Sequence, residues 1–236
     1  MGADPSFTDL QVAIENYSAI ERRWAYEQTT TEYNRHGEVR SVEVTRVDPS
    51  LPWDDRDVLI ATEKGPASDR QMRKYQKERE KERRRNERNV DRRKRLRDRM
   101  NFPLAEVVNE TADSRIYEVP LLPDEESGFP MDKIKLQVSL DATTAALQWI
   151  DVKLLEAVRH KAVAKVKNLA LRIEFGQPPV EENNLALLNL RGQAAASVLF
   201  FPVGGEVEVR RKNHRWVTPY DDRFQVEYGP PTAIDF

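Results

Sequence analysis

Side chains able to do chemistry are scattered along this chain. Adjacent carboxylates occur at Asp54-Asp55, Glu125-Glu126, Glu181-Glu182 and Asp221-Asp222. Acid–base catalysis needs one carboxyl desolvated enough to keep its proton beside another that stays ionised. Acids adjacent in sequence within polar, proline-flanked stretches are both wet, so these pairs predict turns. His36, His160 and His214 lie in three separate segments, with no His-x-His or His-x-x-x-His spacing to clamp a metal. The chain has no cysteine, which excludes disulfides, thiolate metal sites and cysteine nucleophiles but leaves the compartment open. It has no G-x-S-x-G, no P-loop and no G-x-G-x-x-G. The expectation is a protein that is not an enzyme and holds no metal and no cofactor.

Charge is the second resource. Residues 64–99 hold 17 of the 38 Lys and Arg residues but only 7 of the 40 Asp and Glu residues. A basic segment is therefore set in an acidic remainder, and that remainder opposes long-range attraction to a polyanion. Arg83, Arg84, Arg85, Arg92, Arg93, Lys94 and Arg95 could grip phosphates, with binding that falls steeply with salt. The same run reads as a solvated helix held by Glu80 with Arg84, Asp91 with Arg95 and Glu78 with Lys81, each pair worth about 0.2–0.5 kcal/mol. It has no heptad zipper, no Asn or Gln cluster for base edges and no interleaved aromatics for stacking. If the helix over 73–99 has an anionic partner, a membrane surface, worth about 1 kcal/mol per basic residue near it, ranks above nucleic acid.

These groups must be positioned by elements readable from periodicity. Leu10, Ile14, Tyr17, Ile20 and Trp24 make one apolar stripe, so a helix is predicted over residues 8–23. The period then changes to strand-like: 24–33 and 39–47 read as a hairpin around Asn34-Arg35-His36-Gly37, and 58–61 as a short strand. Ser68 with Gln71 fits a capping box opening a helical insertion over 66–100, about 50 Å long as a single rod. Further strands are predicted at 115–119, 134–140, 145–154, 164–175, 185–191, 195–201 and 206–211. Residues 156–162 read as a loop or short helix, and Gly204-Gly205 as a hairpin turn. The tail, 218–236, reads as an extended segment on the surface. No run approaches the about 18 apolar residues of a membrane span. The opening residues do not form a signal peptide; one is absent or was removed.

Apolar surface is the third resource. Leu169, Leu171, Ile173 and Phe175 alternate with polar residues, and Trp149-Ile150 and 195–201 are apolar on both faces. A curved antiparallel sheet with a helical lid is a natural container for a hydrophobic ligand; a filled core fits the same residues.

The order of an N-terminal helix, WAYEQTTTEY, a turn, VEVTRVDPS, Trp53 and GPASDRQMRKYQKERE resembles the bacterial outer-membrane lipoprotein-sorting family (LolA/LolB-like). It is closer still to their uncharacterised relatives, which share the pattern in which Asp48-Pro49-Ser50, Trp53, Gly65, Ser68, Tyr75 and Arg79 stand here. ASVLFFPVGGEVEVRRKNHRWV is similar to that group's last strands, so the likeness spans most of the chain. The arginine-dense stretch 81–99 is heavier than the family pattern. The resemblance implies an exported, periplasmic protein with an incomplete β-barrel whose cavity takes lipid acyl chains, and it brings no catalytic residue.

The combined expectation is a single domain over 1–236, mainly β (α+β). It would be a curved antiparallel incomplete β-barrel of about ten strands, covered by an N-terminal helix and a long inserted charged helix. Its partner would be a hydrophobic ligand or lipid acyl chain lying against Leu169, Leu171, Ile173 and Phe175, with Trp149 near them. The alternative is an interaction module with a filled core, whose basic helix docks on an anionic partner.

Overall fold

The computed structural model describes residues 5–88, 96–123, 128–160, 164–179, 184–198 and 201–224. Helix α1 (Pro5–Ile20) runs into a 3-10 turn, Glu21–Arg23. Strands β1 (Trp24–Tyr33), β2 (Val39–Val47), β3 (Asp57–Thr62) and the two-residue β4 (Gly65–Pro66) follow. Helices α2 (Asp69–Arg88) and α3 (Leu96–Arg99) and a 3-10 turn, Phe102–Leu104, come next. The rest is strand: β5 (Glu106–Glu110), β6 (Ser114–Glu118), β7 (Ile134–Asp141), β8 (Leu147–Leu154), β9 (Val158–His160), β10 (Ala164–Gly176), β11 (Ala186–Val198) and β12 (Phe201–Trp216). A 3-10 turn, Asp221–Phe224, ends the described chain.

One open, curved antiparallel sheet of 12 strands results, in the order β4-β3-β2-β1-β12-β11-β10-β8-β7-β6-β5, with β9 beside β10. The first and last strands pair in the middle, Trp24 opposite Trp216 and Tyr33 opposite Glu206. The chain therefore leaves the sheet at edge β4 and re-enters it at edge β5, with α2, α3 and the 3-10 turn lying between the two edges in sequence.

Local chemistry accounts for the turns. Asn34 Oδ1 accepts from the amides of His36 and Glu38, and Gly37 supplies φ +79°. After β2, Asp48 Oδ1 accepts from the Ser50 amide and hydroxyl, while Arg215 donates to its Oδ2 at 2.6 Å. Burial pushes the Asp48 carboxyl up, but the Ser50 hydrogen bonds and the Arg215 charge outweigh it and hold it below the usual range. At the start of α2 the Ser68 amide donates to Gln71 Oε1 at 2.9 Å, the backward half of a capping box.

The core lies between α1 and strands β6–β8 and β10. Leu10 and Ile14 meet Tyr117, Leu136, Val138, Leu140 and Leu147, all nearly or fully buried. Asp9 and Arg115 pair at 3.5 Å beside them.

Several expectations need correction. The sheet has 12 strands against about ten predicted, because β4, β5 and β9 were not foreseen and two predicted strands are one. Residues 158–160, read as loop or short helix, form β9 against β10. The strands predicted at 185–191 and 195–201 are one strand, β11, through Val198. Gly204-Gly205 is no turn: both lie inside β12, opposite Ala195 and Ala194. Glycine is required there by crowding, since a Cβ on Gly204 would overlap the Ala194 carbonyl oxygen and one on Gly205 the Tyr33 carbonyl oxygen. Trp24 closes the apolar stripe and opens β1, the strand predicted at 24–33. The single rod over 66–100 is described as α2, 20 residues long, and the one-turn α3, with 89–95 outside the described residues. Of the tail at 218–236, residues 225–236 also lie outside them. Among the described residues no helix is long and apolar enough to cross a membrane.

Candidate functional site

Opposed residues of antiparallel strands share a face, so the register sorts the central strands. Row by row across β10, β11 and β12, Leu171 faces Gly192 and Val207, Ile173 faces Leu190 and Val209, and Leu169 faces Ala194 and Gly205. Leu171, Ile173 and Phe175 pack against the edge of the α1 core, and the Tyr17 ring meets the Phe175 ring at 4.7 Å. That fixes these rows on the concave side. Leu169, Leu190, Val207 and Val209 are half-buried and outside the fully buried core. Gly192 keeps the middle row shallow: an added Cβ would stand 3.2 Å from Val207 Cγ1 and 3.7 Å from Leu171 Cδ1.

Helix α2 docks on the same side of the sheet, away from α1, and the apolar rows between the two helices form the candidate trough. Tyr75 donates its hydroxyl to Asp57 Oδ1 at 2.7 Å, and Arg79 pairs with Asp57 Oδ2 at 3.1 Å. Asp57 is opposite Val47, which is opposite Tyr26, so α2 lies over the concave face of β2 and β3 and buries Thr45 and Leu59 there. Burial, then the bond to Asp57, pushes the Tyr75 hydroxyl pKa up. The Trp53 ring takes the guanidinium groups of Arg56, Arg79 and Arg83 at 5.2–5.7 Å.

Between the two helices, β1 and β12 add polar groups to the concave face. Arg211 follows Val209 on that face and lies 4.2 Å over the Tyr26 ring. Its Nε donates to Gln28 Oε1 at 3.1 Å. His214 sits edge-on to Trp24 at 5.8 Å and tilted to Tyr26 at 6.0 Å, and burial holds its pKa down. Trp24 donates its indole N–H to the Leu185 carbonyl at 2.9 Å.

Trp149 needs correction as a member of the apolar face. It is opposite Glu174, on the side that alternates with Leu171, Ile173 and Phe175, and the Arg172 guanidinium covers it at 4.4 Å. Asp151, Lys153, Arg191, Glu206, Glu208 and Arg210 share that convex face. There Lys153 reaches Asp151 at 2.6 Å and Arg210 reaches Glu208 at 2.8 Å. The open depression of about 540 Å³ between Arg172, Glu174, Asn189, Arg191, Glu208 and Arg210 is thus lined by internally matched charges.

The basic residues divide in the same way. Arg83 and Arg84 both donate to Glu80 at 2.9 Å, so the helix itself engages them, and Arg85 also has a partner. Arg92, Arg93, Lys94 and Arg95 lie outside the described residues. Arg70, Arg73, Lys77 and Lys81 recur at three- and four-residue steps and are exposed. The acidic pairs are dispersed: Asp221 binds Arg56 and Asp222 binds Arg23, Asp54 and Asp55 are exposed, and 125–126 and 181–182 are outside the described residues. Among the described residues no group of three or more His, Asp or Glu could hold a metal ion.

The sequence names the 169–175 alternation, which the structure places on one face of the sheet, but not Gly192, Val207, Val209, Arg211, Gln28 and Tyr26, which share that face. Their signal was present in the alternation of Glu206-Val207-Glu208-Val209-Arg210-Arg211. Only the register of β12 against both β11 and β1 shows which half of it faces inward.

Comparison with protein-family models, with curated proteins and with solved structures finds no match to this chain.

Proposed function

We propose that this protein is a non-enzymatic, extracytoplasmic carrier of the lipoprotein-sorting (LolA-like) kind, which holds a lipid or another apolar ligand in the trough between α1 and α2. The observation that carries this reading is the pair of half-exposed apolar rows, Leu171–Gly192–Val207 and Ile173–Leu190–Val209, lying between two helices on one concave face. Such a surface costs about 25 cal/mol per Å² while it faces water, and a bound acyl chain removes that cost. Helix α1 already fills the neighbouring part of the sheet, so the ligand lies beside α1 rather than beneath it. Native mass spectrometry of the gently purified chain is expected to show lipid-sized adducts. Uptake of a neutral apolar fluorophore by the stripped protein is expected as well. A bare chain mass together with no fluorophore uptake sinks the carrier reading.

A second reading, docking on an anionic membrane surface, is favoured by the outward stripe Arg70, Arg73, Lys77 and Lys81 on α2. It predicts binding to phosphatidylglycerol-containing vesicles that weakens as salt shortens the screening length. Flotation with such vesicles at low and high salt tests it, and salt-independent flotation or none rules it out.

A further inference from the structure

The concave face has one feature that an apolar ligand alone does not use. Arg211 is half-buried, and among the described residues it has no carboxylate partner; its one hydrogen bond is from Nε to Gln28. Arg210, its neighbour in sequence, points to the other face and is paired with Glu208. A guanidinium taken partly out of water without an anion loses hydration with little Coulombic return. The terminal N–H groups of Arg211 form the planar fork that receives a carboxylate with two parallel hydrogen bonds.

Two tyrosines lie near it. Tyr26 lies under the guanidinium, and Tyr17, on the last turns of α1, is near enough for the Arg211 charge to act on it. Neither hydroxyl has a hydrogen-bond partner among the described residues, while each ring is held by packing against Phe175 or Arg211. Burial pushes the Tyr17 hydroxyl up to about 12, and Arg211 only partly opposes it; the Tyr26 hydroxyl is raised for the same reason. Both are therefore neutral O–H donors at physiological pH.

We propose that Arg211, with the Tyr17 and Tyr26 hydroxyls, is a head-group site for the carboxylate of a long-chain monoanion whose tail lies along the two apolar rows. This rests on the trough being a ligand site, and it names the ligand class. The tail path starts beside the head: Val209, Val207 and Gly205 follow Arg211 on the same face of β12, about 20 Å of strand. A single charge is selected because, among the described residues, Arg211 is the one cation that acts on both tyrosines, while the carboxylates of Glu21, acting on both, and of Asp57, acting on Tyr26, oppose further negative charge. A dianionic head would meet those carboxylates without a second such cation.

The test uses the full chain, stripped of bound lipid, titrated with palmitate, hexadecanol and hexadecyl phosphate by calorimetry. Palmitate is expected to bind at least about tenfold tighter than hexadecanol, the size of effect that a charge-assisted hydrogen bond gives. Arg211→Gln is expected to bring that ratio close to one, and Arg211→Lys to leave it intermediate, since lysine keeps the charge but not the fork. Should Arg211→Gln not fold, Tyr26→Phe is expected to lower the ratio severalfold. Equal affinity for acid and alcohol in the unmodified chain, or a ratio unchanged in Arg211→Gln, overturns the head-group site and leaves the trough standing. Tighter binding of hexadecyl phosphate than of palmitate overturns the carboxylate assignment. No binding of any of the three overturns the trough reading and this site with it.

Discussion

Leu10→Ala tests the seating of α1, the wall on which the trough depends. Leu10 is 0% exposed, within a cluster that includes Leu136, Val138, Leu140 and Leu147 at 0–1%. Leucine-to-alanine changes in cores cost about 2–5 kcal/mol, more where the site cannot collapse. A site backed by a paired sheet collapses poorly, so about 3–4 kcal/mol is expected. A chain of this size loses about 2–4 °C of Tm per kcal/mol, which gives a fall of roughly 6–16 °C. Val12→Ala is the control, because it lies on the same helix but is 44% exposed. Both changes raise helix propensity, so only docking separates them, and Val12→Ala is expected to stay within about 0.5 kcal/mol. Urea unfolding, followed by tryptophan fluorescence and by far-ultraviolet dichroism, measures both variants. Coincident transitions are required before the free energies are compared. A Leu10→Ala loss below about 1 kcal/mol, or equal losses in the two variants, would refute the docking of α1 on the sheet.

Asp48→Asn is expected to reduce stability at pH 7 by about 1–2 kcal/mol, since Arg215 and Ser50 then bond to a neutral amide. The folded carboxyl pKa is lowered, so its contribution is present above about pH 4, the unfolded value, and is lost as pH falls through the folded value. The urea-midpoint gap between wild type and Asn should accordingly close on acidification, and a constant gap would contradict the assignment. Gly204→Ala, at φ +145° and against the Ala194 carbonyl, should cost more than about 2 kcal/mol in the same assay. Asp57→Ala strips partners from the Tyr75 hydroxyl and from Arg79 in a site where Asp57 is 20% and Arg79 17% exposed, and should cost about 2–3 kcal/mol. Lys74→Ala, on the exposed side of the same helix, should stay within about 0.5 kcal/mol; equal effects would mean that α2 is not docked through Asp57.

Elements whose burial follows their own period were legible in the sequence. The 134–141 strand alternates, and Leu136, Val138 and Leu140 are its buried apolar residues. The hairpin at 24–47 was legible because Asn34 and Gly37 do a turn's chemistry themselves. Strand β5 was not: every one of its residues is exposed, so it has no buried face to impose a period. Gly204-Gly205 misled because glycine pairs serve turns and crowded strands alike, and what crowds them, Tyr33 and Ala194, lies on the two neighbouring strands, so that only the pairing shows it. Trp149 misled for a related reason. An aromatic beside Ile150 suggests a doubly buried strand, but Arg172 from the neighbouring strand supplies the cover.

The site was half legible, and the topology explains which half. Residues 169–175 lie on one strand and carry their own alternation, whereas Arg211, Gln28 and Tyr26 meet only because β12 pairs with β1. That pairing places the chain's first and last strands at the centre of the sheet and leaves the edges to β4 and β5. Pro66 cannot donate a ladder hydrogen bond from β4, and β5 ends in Glu106 and Glu110, so both edges resist further pairing. The sheet therefore stays open, and the segment joining its edges must cross from one to the other. With α1 packed on one part of the concave face and α2 on another, that face is covered only in part. Here the gap between α1 and α2 falls over β10–β12 and β1, where the apolar rows end at Arg211.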